Sequence, residues 1–132
     1  MELNKKIVFL VEDDTAITDV YKTAFTAADI NFEVMDCGKK AFEKIEEIQD
    51  GKRKKPCLML LDLVLPDMDG MDILKKIREN EKTKDMKVFI LSNYTNENLL
   101  KTDGIKPDMF ILKAGITPTK LIELIKTQFK KS

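Results

Sequence analysis

The sequence predicts an α/β fold in which one parallel sheet carries helices on both faces. Three observations predict it. Short β-forming runs recur five times along the 132 residues. Most of these runs are continuously apolar, as strands covered on both sides require. Amphipathic helical patterns fill the intervals between them.

Taken in order, "IVFLV" (7–11) is the first strand. Ile17, Val20, Tyr21, Ala24 and Phe25 then recur at helical spacing and form the first helical stripe. "FEVMDC" (32–37) alternates and reads as a short second strand. Gly38 precedes a second stripe of Ala41, Phe42, Ile45 and Ile48. "CLMLL" (57–61) is the third strand, "DMDG" breaks the chain, and Ile73, Leu74 and Ile77 mark the third helix. "KVFIL" (87–91) is the fourth strand, followed by a polar, weakly patterned helical segment at 96–101. "DMFIL" (108–112) is the fifth strand. Thr117 is placed as an N-cap with Pro118 at the first helical position. Leu121, Ile122, Ile125 and Phe129 form the last stripe. No linker, repeat or low-complexity tract divides the chain, so one domain over 1–132 is expected, with no output domain.

Composition removes several classes of function. Formal net charge is zero, which gives no global field for nucleic acid or an anionic membrane. The basic run "GKRKK" (51–55) reads as a solvated connection. Two cysteines, Cys37 and Cys57, are too few for a disulfide framework and suit a reducing compartment. The amino-terminal apolar run is five residues long, too short for a signal peptide or a span, so a cytoplasmic protein is expected. There is no histidine, which excludes His-containing triads and the usual zinc-hydrolase sites.

Parallel α/β sheets place their sites at the carboxyl ends of the strands. The first strand ends in Glu12, Asp13 and Asp14, the third in Asp62, the fourth in Ser92 and the fifth in Lys113. Asp36 and Cys37 end the second, whose place in the sheet is open. Each residue has a bland reading alone: a helix cap, a turn serine, a solvated lysine. Together they bring acids, a hydroxyl and an amine to one edge. Clustered carboxylates repel unless a proton or cation neutralises them. An oxygen-only ligand set suits Mg²⁺ or Mn²⁺, and an adjacent lysine and hydroxyl suit a phosphoryl group. Asp62 lies within the apolar run "CLMLLDLVL" because there the third strand leaves the core. Such a carboxylate can serve as metal ligand and as nucleophile toward phosphorus.

The segments "IVFLVEDDTAI", "LLDLVLPDMDGMDILKKIR", "VFILSN" and "FILK" resemble the receiver domain of two-component response regulators. The resemblance covers essentially the whole chain. It implies a flavodoxin-like, doubly wound (βα)5 fold with strand order 2-1-3-4-5. It implies Asp62 as phosphoacceptor, and Asp13 as main Mg²⁺ ligand (Mn²⁺ in its place) with Glu12 beside it. The Val64 backbone carbonyl would be a further ligand, Ser92 the switch hydroxyl, Lys113 the phosphate-binding lysine and Phe110 the aromatic that changes rotamer. Asp14 matches no family role beyond capping. The implied protein is a phosphoacceptor signalling module, not a conventional enzyme. Its donor would be a histidine kinase or histidine phosphotransfer protein. Its unknown downstream partner would dock on the face of the fourth helix, fifth strand and last helix; a phosphorylation-dependent homodimer stays open. Two departures stand out. Ala114 and Gly115 follow Lys113 where the family usually has a cis proline, leaving that bond open. Asn93 follows the switch hydroxyl where a small residue is common. Val64 and Tyr94 occupy the positions that tune hydrolysis, and neither readily orients water, so a long-lived phosphoryl state is expected.

Three competing functions carry different signatures. A receiver-like interaction module would work without phosphate. An aspartate-nucleophile phosphatase would want a D-x-D motif after the first strand, with a cap domain; the sequence there is "VEDDT". A flavodoxin-like cofactor carrier would want a Ser/Thr/Gly-rich first loop, and this one is acidic.

Overall fold

A computed structural model describes residues 6–93 and 105–131. In chain order the elements are β1 (Ile7–Val11), α1 (Thr15–Ala27), β2 (Asn31–Met35), α2 (Gly38–Gln49) and β3 (Leu58–Leu61). They continue with α3 (Gly70–Arg78), β4 (Val88–Ser92), β5 (Met109–Leu112), a 3-10 turn (Lys113–Gly115) and α4 (Pro118–Lys131). The helical segment expected at 96–101 and Tyr94 lie outside the described residues. All five strands are parallel, in the order β2-β1-β3-β4-β5. This is the doubly wound arrangement that the resemblance implies. β1 has the bounds read from sequence; the other strands differ by one or two residues at their ends.

Alternate side chains of the central strands serve two separate cores. Phe9, Val11, Met59, Leu61, Val88 and Ile90 pack against Ala41 and Ile45 of α2 and Ile73, Leu74 and Ile77 of α3. On the other face Val8, Leu10, Leu58, Leu60, Phe89 and Leu91 meet Tyr21 and Phe25 of α1 and Leu121 and Ile125 of α4. β3 is buried at all four positions, which is why its sequence reads as an uninterrupted apolar run. Each such Leu or Phe contributes roughly 1.5–3 kcal/mol on burial.

Two expectations are corrected. Val20 belongs to the α1 stripe by spacing but is 52% exposed. α1 reaches the core through Tyr21 and Phe25, and Val20 lies on its flank over a groove shared with Ile116 and Pro118. "GKRKK" is not uniformly solvated either. Arg53 makes a two-pronged ion pair with Glu33 at 2.9 Å and stacks over Phe9. This ties the α2–β3 connection to the edge strand β2.

Helix starts are set by side-chain caps. Asp14 accepts from the Ala16 and Ile17 amides, Asp69 from Met71, and Thr117 from Lys120. For α2 the N-cap residue, Cys37, offers no such bond. Its first turn is capped from a distance: Asp67 accepts from Gly38 at 2.7 Å and from Lys39 at 2.9 Å.

Candidate functional site

Parallel pairing sends the carboxyl ends of the strands to one edge, and the backbone ladder continues one step past two of them. The Glu12 amide donates to the Met35 carbonyl and the Asp62 amide to the Val11 carbonyl, each at 3.1 Å. Both acids are therefore fixed by sheet hydrogen bonds, at 1% and 7% exposure. Carboxylate oxygens of Glu12, Asp13 and Asp62 all lie within 4.8 Å of one another.

Lys113 follows β5 directly and reaches across the edge. Its Nζ donates to Glu12 Oε1 at 2.7 Å and to Asp62 Oδ2 at 3.0 Å. The remaining oxygens are held by the chain itself: Asp14 N donates to Glu12 Oε2 and Val64 N to Asp62 Oδ1, both at 3.1 Å. Ser92, Asn93 and Val64 line the same cavity of about 270 Å³. The acids, hydroxyl and amine read from separate strand ends are thus brought together. Asp36 is not among them; β2 is an edge strand, and Asp36 pairs with Lys40.

The electrostatics follow from burial and charge. Burial pushes the Glu12 carboxyl above its usual range, and Asp62 adds to the rise; bonds from Lys113 and Asp14 oppose it. Burial acts to lower the Lys113 pKa, but its bonds to Glu12 and Asp62 outweigh this and hold it raised. Lys113 thus stays an ammonium. Three carboxylates against this ammonium leave an excess of negative charge for a divalent cation, and an all-oxygen donor set fits Mg²⁺ or Mn²⁺.

Close approach of α3 to this edge depends on a glycine. A Cβ on Gly70 would lie 2.4 Å from the Asp62 carbonyl oxygen and 2.8 Å from Leu63 Cα. The Gly70 amide donates to the Leu63 carbonyl at 2.7 Å, closing the loop after β3. The same loop touches α2, where Met68 fills the space that a Gly38 side chain would need. Asp67 and Met68 join the Asp62 loop to α2. Sequence reasoning passed over Asp67, whose partners lie 29 and 28 residues away.

Phe110 pairs with Ile90 in the sheet and is half-buried against the core of α2 and α3. Lys113 begins the 3-10 turn, and there is no cis peptide among the described residues. Asp14 is the α1 cap expected of it.

The family model described as "Response regulator receiver domain" matches residues 8–126. Among curated proteins, the regulatory protein LuxO of Vibrio cholerae is 35% identical over 83 residues. That alignment covers 63% of this chain and 16% of the relative, so the chain spans a small part of that relative's length. Among solved structures, a CheY-like receiver domain protein from Methanospirillum hungatei is 28% identical, with a TM-score of 0.76, covering 98% of this chain and 100% of that one. The phosphorylated cyanobacterial phytochrome response regulator RcpA is 25% identical with a TM-score of 0.77, covering 94% and 91%.

Proposed function

We propose a function from one premise: the chain belongs to the response regulator receiver domain family. Such a domain is a signalling module rather than a classical enzyme. Our reading is that Asp62 accepts a phosphoryl group and that this changes the partner-binding face. The observation that carries it is the contact of Lys113 Nζ with Asp62 Oδ2 at 3.0 Å, inside the cluster of Glu12, Asp13 and Asp62.

Mechanism follows from what each side chain can do. An Asp62 carboxylate oxygen attacks phosphorus. The bond from phosphorus to the donor nitrogen breaks, its electron pair stays on that nitrogen, and the product is an acyl phosphate. With no histidine in the sequence, a histidine donor lies outside this chain, on a kinase or phosphotransfer protein. Lys113 supplies a fixed positive charge to the phosphoryl oxygens, and Ser92 supplies a hydroxyl from the end of β4. Glu12, Asp13, Asp62 and the Val64 carbonyl would hold Mg²⁺ or Mn²⁺. Such an ion would offset repulsion between the carboxylate and the incoming phosphoryl group. Lys113 must then release a carboxylate to meet the phosphoryl oxygens, and movement of Ser92 and Phe110 would carry the change to β5 and α4. Exposed Met109 and Leu112 on β5 give that face an apolar surface for a downstream protein or a second copy. The site contains no histidine, and Val64 presents an exposed apolar side chain at its rim. Both features support a slowly hydrolysed phosphoryl group. Among the described residues no helix is long and apolar enough to cross a membrane. We place the domain in the cytoplasm, where receiver domains typically act.

Incubation with Mg²⁺ and acetyl phosphate, followed by intact mass measurement, tests this. One phosphoryl adduct is expected, lost in Asp62→Asn and after chelation. The absence of an adduct with both acetyl phosphate and a histidine kinase would leave the phosphate-independent interaction module in its place. Release of the label within seconds would overturn the slow-hydrolysis reading alone.

A further inference from the structure

The loop between β3 and α3 begins at Asp62 and touches a second element at its tip. It is closed on itself. Val64 and Asp69 form an antiparallel bridge, and the Gly70 amide donates to the Leu63 carbonyl at 2.7 Å. Buried Leu63 and Leu65 seat it on the core, which keeps any movement small. At the tip, exposed Asp67 holds the first turn of α2, accepting from Gly38 at 2.7 Å and from Lys39 at 2.9 Å.

The other helices start differently. Asp14 caps α1, Asp69 caps α3 and Thr117 caps α4, each from the position just before its helix. In α2 that position is Cys37, which makes no capping bond. A serine or aspartate there would fasten the turn whatever the loop did. The turn instead relies on a carboxylate of the Asp62 loop, so its order is tied to where that loop lies.

Phosphoryl uptake disturbs the other end of the loop. In the resting site both Asp62 oxygens hold donors, the Val64 amide on Oδ1 and Lys113 Nζ on Oδ2. In an acyl phosphate one of these oxygens bridges to phosphorus and the other is a neutral carbonyl. Whichever oxygen reacts, the Val64 amide loses its charged acceptor, and a charge-assisted bond is about twice as strong as a neutral one. The bond that fastens the loop to Asp62 therefore weakens, and the closed loop passes the shift at Val64 on to Asp67. Movement can only loosen the tip. The Gly38 bond is already at the short end of the normal range, and Met68 fills the space in front of Gly38. Displacement toward α2 is blocked, and displacement away from it lengthens both bonds.

We infer that Asp67 is an autoinhibitory clamp: it fastens the resting Asp62 loop to α2, and phosphoryl uptake loosens it and frays the first turn of α2. This rests on the receiver reading and gives the state of Asp62 a second place of display, on the α2 side of the sheet.

Beryllofluoride with Mg²⁺, a stable mimic of the phosphoryl group, is the probe. In ¹⁵N-labelled protein the mimic should speed hydrogen exchange at the Gly38 and Lys39 amides about fivefold and leave Ile45, in the middle of α2, unchanged. Linkage makes the effect reciprocal, so Asp67→Ala should bind the mimic about fivefold tighter, which loss of a merely structural cap would not do. Its two amides should exchange fast with or without the mimic. Adding Cys37→Asp to that variant should restore protection at Lys39 and leave it insensitive to the mimic, because a local cap does not touch the loop. A Val64 resonance that shifts while exchange at Gly38 and Lys39 stays unchanged or slows would overturn the clamp and leave the receiver reading standing. So would an Asp67→Ala variant with unchanged or weaker affinity for the mimic. A Val64 amide that does not respond to the mimic at all would overturn both.

Discussion

At the carboxyl ends of the strands, Glu12, Asp13 and Asp62 face the ammonium of Lys113. At the amino ends, Lys55, Lys87 and Lys131 lie around Asp85 and an Asp108 that Arg78 and Lys87 share. One edge of a single sheet is therefore acidic and the other basic, separated by strands of four or five residues. The acidic edge is built from residues that directly follow apolar runs, so backbone pairing places them. The basic edge is built from loop residues and one face of α4, so tertiary packing places them. Sites of the first kind inherit the rigidity of the sheet; sites of the second kind depend on how a helix docks.

The largest effect should come from breaking the acidic edge through its backbone. Gly70→Val would drive a side chain into the Asp62 carbonyl and Leu63. A loss of about 3 kcal/mol in urea unfolding is expected, with phosphoryl uptake abolished. Next is Lys113→Met, which leaves Glu12 and Asp62 buried beside each other without their shared ammonium. Without divalent ions this should cost about 3 kcal/mol, and added Mg²⁺ should restore part of it.

A smaller effect sharpens the contrast through pH. Glu12 has a folded pKa raised above 4.5, so the folded state binds its proton more readily than the unfolded state. Its contribution is present below the unfolded value and is lost as pH rises through the raised folded value. In chelator, melting temperature should therefore fall across the window starting at pH 4.5 and extending upward. Glu12→Gln should flatten that slope. Asp67 has the opposite sign. The Gly38 and Lys39 amides hold its pKa below 3.8. Its contribution is present above 3.8 and is lost as pH falls through the lower folded value. Asp67→Ala should speed hydrogen exchange at the Gly38 and Lys39 amides and leave α3 unchanged, the smallest and most local outcome.

Much of this was legible in the sequence because strand-end residues need no knowledge of packing. β1 could be bounded from its apolar run, and Glu12, Asp62, Ser92 and Lys113 followed from position alone. Thr117 and Pro118 announced the start of α4 by local chemistry. Three features were not legible, and each needed a partner distant in sequence. Val20 obeys helical spacing but lies beyond the surface that the sheet covers. Arg53 reads as one basic residue among several until Phe9 and Glu33 are placed beneath it. Asp67 is one acid in a loop until Gly38 and Lys39 are placed against it.

The Asp67 contact also constrains how the nascent chain can mature. Synthesis delivers α2 first, yet the residue that satisfies its first turn lies 29 positions later than Gly38. β1 waits as well, because its neighbour on one side is β3. On the ribosome the early half can form β1, α1, β2 and a frayed α2, but it becomes locked only when the segment bearing Asp62 emerges. The fold's amino-terminal half is thus completed by the arrival of the very loop that carries its chemistry.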